Sequence, residues 1–98
     1  MIKVAGTSRS TAVAGAIAAV IREEESVEVR AIGAGAVNQA VKAVCYAHCY
    51  LAEDGIDIVC VPAFVELQIN DQERTAVCLS VRKREPGTET TEPDAENA

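Results

Sequence analysis

Three groups of residues in this chain have side chains and spacings that could do chemistry. The first is Gly33-Ala34-Gly35-Ala36-Val37-Asn38, with Gln39 and Lys42 just behind it. A strand pattern leads into the two glycines and a helical pattern leaves them. The backbone N–H groups of that helix start form a ready anion site. Asn38 and Gln39 add hydrogen-bonding groups, and Lys42 follows Asn38 at i+4 on the same helical face. The second group is Ser8-Arg9-Ser10, two hydroxyls around a guanidinium whose planar fork suits a phosphate. The third is Cys45, His48 and Cys49 at i, i+3 and i+4 of one helix. That spacing fits part of a soft-metal site, or a thiol with a histidine base.

Each group also has a plainer reading. The glycine turn resembles the opening of a dinucleotide fingerprint, but Asn38 stands where the third glycine belongs, and 98 residues are too few for two mononucleotide-binding halves. A tight turn needing small residues accounts for the glycines. Serines before a helix commonly cap it, and Arg9 and Lys42 taken singly read as solvated charges. The cysteine–histidine face lacks a fourth ligand, because Cys60 and Cys78 fall on strands without Cys-x2-Cys spacing. Nothing in the sequence orients His48. No catalytic residue, metal ligand or cofactor is therefore assigned, and no acid–base or nucleophile constellation supports an enzyme.

The elements that must position these residues follow from periodicity. Ile2–Ala5 reads as a short strand and Thr11–Glu24 as a helix with Val13, Ile17, Val20 and Ile21 on its apolar stripe. Gly15 inside that helix is expected where something packs closely. Val27–Ile32 alternates as a half-buried strand. Ala36–Ala52 is a second helix, with Val37, Val41 and Val44 as its apolar positions and Asp54-Gly55 as its stop. Ile56–Val61 is a nearly continuous apolar run, as in an inner strand, and Pro62 predicts a bulge or an unpaired edge. Val65, Leu67 and Ile69 alternate with polar residues. Asn70–Arg74 reads as a polar hairpin loop before a last strand over Thr75–Arg82. The order β-α-β-α-β-β predicts an α/β fold, an α+β two-layer sandwich with helices on one face of the sheet. A parallel first pair of strands would set Thr7–Ser10 beside Gly33–Asn38 at the carboxyl edge, where ligands of such sheets bind.

Composition sets bounds. The length suits one domain, residues 1–85, followed by an acidic tail over 86–98 with Glu89, Glu92, Asp94 and Glu96 and no base. Its Thr, Glu, Pro and Asp content predicts disorder. The net charge is −6, and residues 1–85 carry nine basic and eleven acidic side chains. A general electrostatic nucleic-acid binder is usually basic, so this balance argues against strong non-specific binding. No apolar run approaches the ~20 residues of a membrane span, and no leader-like segment opens the chain. With four cysteines, this predicts a cytoplasmic protein with reduced thiols. A small Ala-rich core, with Tyr46 and Tyr50 at i, i+4 on the second helix, predicts a homodimer.

Three segments resemble the stage V sporulation protein S family: TAVAGAIAAVIRE (Thr11–Glu23), AIGAGAVNQAVKAV (Ala31–Val44) and IVCVPAFVELQINDQERTA (Ile58–Ala76). The resemblance spans residues 2–82. It implies an Alba-like fold with a mixed four-stranded sheet whose last strand is antiparallel to the others. It also implies a homodimer and a nucleic-acid-binding role, RNA or DNA, tied to sporulation or developmental control. The corresponding binding region would comprise Ser8, Arg9 and Ser10 with Gly33, Gly35, Asn38, Gln39 and Lys42. Thr7 and Cys78 stand where the family commonly has lysines, and His48-Cys49 where it has Arg-Gly. Each departure removes positive charge, which keeps open a second function, a protein-interaction module without nucleic acid.

Overall fold

The computed structural model describes residues 1–84; the acidic segment expected over 86–98 lies outside the described residues. Two parallel strands come first in space as in sequence. β1 (Ile2–Val4) pairs with β2 (Ser26–Ala31), and the connection between them is α1 (Ser10–Glu23). α2 (Ala34–Ala52) then leads to β3 (Ile58–Ile69) and its hairpin partner β4 (Gln72–Lys83). The strand order is β1-β2-β4-β3, and β4 is antiparallel to both of its neighbours. This is the expected two-layer α+β arrangement.

Val4, Val27, Val29, Ala31, Leu79 and Val81 point to the helix layer and meet Ile17 and Ile21 of α1 in one core. The buried stripe of α2 is Ala36, Ala40, Ala43, Ala47 and Leu51, not the valines the sequence suggested. Val41 is 47% exposed, and Val37 and Val44 are half-buried. The alanines are inside because they let α2 lie close to both α1 and the sheet. Gly15 is another correction: a Cβ there would meet nothing within 4 Å, so close packing does not explain it.

α2 stops as the sequence predicted. Gly55 takes φ 72, its N–H donates to the Ala52 carbonyl and that of Ile56 to the Leu51 carbonyl, both at 3.0 Å. These are the two bonds of a Schellman stop.

The third strand departs most from expectation. The apolar run from Ile56 is not inner: β3 is an edge strand that pairs only with β4. It runs unbroken through Pro62, which is tolerated because an edge strand leaves alternate N–H groups without a sheet partner. The expected five-residue loop shrinks to Asn70-Asp71, at φ 52 and 63, the left-handed pair of a two-residue hairpin turn. Gln72–Arg74 belong to β4 instead. β2 pairs β4 only up to Ala31↔Val77, so the hairpin beyond it is a two-stranded arm leaving the carboxyl edge of the sheet.

Candidate functional site

The turn after β1 and the turn after β2 meet, as parallel pairing of the strands requires. A Cβ on Gly35 would lie 3.7 Å from the Gly6 Cα, so the start of α2 rests against the first turn. Gly6 was not singled out in the sequence, although its partner Gly35 was. Gly33 has φ 92 and ψ 155, a backbone region essentially confined to glycine. That conformation turns the chain from β2 into α2.

Ser8 and Gln39 hold this junction together. The Ala5 N–H donates to Ser8 Oγ at 2.9 Å, the Ser8 N–H donates to the Ala5 carbonyl at 3.0 Å, and Gln39 Nε2 donates to the Ser8 carbonyl at 2.6 Å. Gln39 is half-buried, and its amide is spent on fixing the loop. The serines do not cap α1 as expected. Arg9 is the N-cap residue, and neither helix has a side-chain cap bond. The first intrahelical bonds here run from the Val13 N–H to the Arg9 carbonyl and from the Val37 N–H to the Gly33 carbonyl. The N–H groups of residues 10–12 and 34–36 therefore have no partner within their helices. Two positive helix ends sit side by side.

Arg9, Asn38 and Lys42 are exposed, and Arg9 and Lys42 make no ion pair among the described residues. No Asp or Glu occurs in residues 1–22 or 31–52, which together supply both turns and nearly all of both helices. Glu66, Asp71 and Glu73 lie on the hairpin arm that leaves the carboxyl edge. Six acids gather at the opposite end: Glu23, Glu24 and Glu25 at the finish of α1, Glu53, Asp54 and Asp57 after α2. Their cations are used there. Arg22 Nε lies 2.8 Å from Asp54, Arg84 Nε 3.2 Å from Asp57, and Lys83 Nζ 3.7 Å from Glu25. The helix starts are thus free of carboxylates from their own segments while the helix finishes are acidic, a contrast the net charge conceals.

Cys45, His48 and Cys49 line a groove between α2 and β3 with Val44, Ile58, Val59 and Cys60. His48 Nε2 lies 3.2 Å from the Asp57 carboxylate. No three of the His, Cys, Asp and Glu side chains among the described residues converge as metal ligands. All four cysteines are free thiols. Burial, then the neighbouring Cys45 and Cys78, pushes the Cys60 thiol up; burial and the adjacent Glu28 do the same for Cys78. No helix among the described residues is long and apolar enough to cross a membrane.

A model of the family described as Stage V sporulation protein S matches residues 1–84. The chain belongs to that sporulation-related family.

Proposed function

We propose that this member of the stage V sporulation protein S family is a cytoplasmic, homodimeric regulator that binds nucleic acid and has no catalytic activity. The observation that carries the reading is the carboxyl edge, with two uncapped helix starts, the unpaired cation Arg9, unpaired Lys42 further along α2, and no carboxylate in either segment that builds it. Phosphates of RNA or DNA would meet Arg9, Lys42 and the N–H groups of Ser10 and of residues 34–36, with Asn38 adding a hydrogen bond. Ser8, Gly33, Gly35 and Gln39 would act by shaping the turn.

The dimer reading rests on exposed apolar surface. Phe64 on β3 is 79% exposed and Val61 47%, and Val41 and Tyr46 on α2 are also exposed. A long apolar edge strand invites pairing with another chain. The same surface favours a second reading, docking of a different protein in developmental control without nucleic acid.

Fluorescence-anisotropy titrations of the full chain with single-stranded RNA, duplex RNA and duplex DNA, at roughly 50 and 200 mM salt, test the proposal. Salt-sensitive binding is expected to at least one of them. No binding to any at the lower salt, with protein partners recovered by pull-down, would replace it with the second reading.

A further inference from the structure

The face of the sheet turned away from the helices has its own pattern. On β3 it presents Val59, Val61, Ala63, Val65, Leu67 and Ile69, an uncharged ridge. On the other strands it presents Lys3, then Glu28 and Arg30, then Arg74, Cys78 and Arg82. Lys3 is in register with Arg30, which is in register with Cys78; Arg74 and Arg82 flank that row four residues away along β4. None of these four cations forms an ion pair among the described residues. Glu28 is the one acid these strands place on this face, and it sits beside the Cys78 thiol.

A cleft of about 500 Å³ opens on this face at the carboxyl edge, lined by Lys3–Gly6, Arg30, Ile32 and Leu67–Ile69. β3 lies three places from β1 in the sheet, so Leu67 and Ile69 reach this cleft because the two-stranded arm curls back across the open face. Arg30 Nε is buried and has no hydrogen-bond partner among the described residues. The opposite face of the arm carries Glu66 and Glu73. An anionic polymer following the arm therefore meets carboxylates on the helix side and cations on the open side.

We propose that the open face is a nucleic-acid-binding surface, with Lys3 and Arg30 gripping the phosphates of a single strand seated between β1 and the curled arm. Apolar Ile32, Leu67 and Ile69 would flank the sugars and bases. Cations repeated along a sheet suit a polyanion better than one small anion. The inference rests on the nucleic-acid reading above but assigns binding to a different surface from Arg9 and Lys42.

The test is anisotropy with labelled single-stranded RNA across salt, using the full chain, Lys3→Gln/Arg30→Gln and Arg9→Ala/Lys42→Ala, with circular dichroism to confirm folding. Lys3→Gln/Arg30→Gln is expected to lose about tenfold in affinity and to flatten the salt slope by about 1.4, two single-strand phosphates at about 0.7 each. Lys3→Arg should retain wild-type binding, which separates lost charge from lost structure. Wild-type affinity in Lys3→Gln/Arg30→Gln would overturn the inference while leaving the first reading intact. Loss there with none in Arg9→Ala/Lys42→Ala would support the open face and remove the first site. No RNA binding by the wild-type chain would overturn both. Displacement of RNA by polyglutamate at equal charge concentration would overturn the nucleic-acid assignment in favour of an acidic protein segment.

Discussion

The two ends of the helical layer carry charge in opposite ways. At the end where the helices finish, six acids face Arg22, His48, Lys83 and Arg84, and each of those four is within ion-pair distance of one of them. At the end where the helices begin, Arg9 makes no ion pair among the described residues and the helix dipoles add to its charge; Lys42, midway along α2, is likewise unpaired among them. A cation already paired inside the protein must give up that partner to bind a phosphate. The lesson is that capacity for an anionic partner depends on which cations are uncommitted, and a sum over the chain does not show this.

Substitutions can break this asymmetry or sharpen it. The largest effect is expected at Gly33, whose φ of 92 and ψ of 155 set the start of α2. Gly33→Ala should destabilise the fold by about 1–3 kcal/mol, read by urea denaturation, whereas Gly35→Ala places its Cβ at an ordinary 3.7 Å from Gly6 and should be tolerated. Next, a carboxylate placed at a helix start should separate stability from binding. Ala34→Asp, in the first turn of α2, is expected to raise stability by about 0.3–1 kcal/mol through the dipole and to weaken RNA binding severalfold. Glu24→Lys at the other end should stabilise α1 by a similar amount with RNA affinity unchanged. The smallest effect belongs to the exposed Arg22–Asp54 pair. Arg22→Gln should shift the urea midpoint by an amount worth about 0–1 kcal/mol.

Much of this was readable in the sequence. The element order and the meeting of the two turns follow from hydrophobic period and from the handedness of parallel connections. The acid-free stretches are visible too, but only the topology puts residues 1–22 and 31–52 at one end. Besides Gly15 and the serine caps, three features were misread for physical reasons. Valines on α2 looked like its core because they are more apolar than alanine, yet close helix–sheet approach selected the alanines. The Ile56–Val61 run looked buried on both faces, because an apolar strand at an open edge has the same composition as an inner one. Gln72–Arg74 looked like loop because they are polar, and they are polar because the arm leaves the body of the protein. Lys3 and Arg30 passed unnoticed because neither belongs to a motif; only strand register brings them together.

The most direct test compares uncommitted with committed cations. RNA affinity would be measured by anisotropy at roughly 50 and 200 mM salt for Arg9→Ala/Lys42→Ala and for Arg22→Gln/Lys83→Gln, which remove the same charge, from unpaired cations in the first case and paired ones in the second. The account predicts about a tenfold loss and a flatter salt dependence for the first pair, and affinity within about twofold of wild type for the second. Equal losses from the two pairs would contradict it, since binding would then follow total charge and not the uncommitted cations.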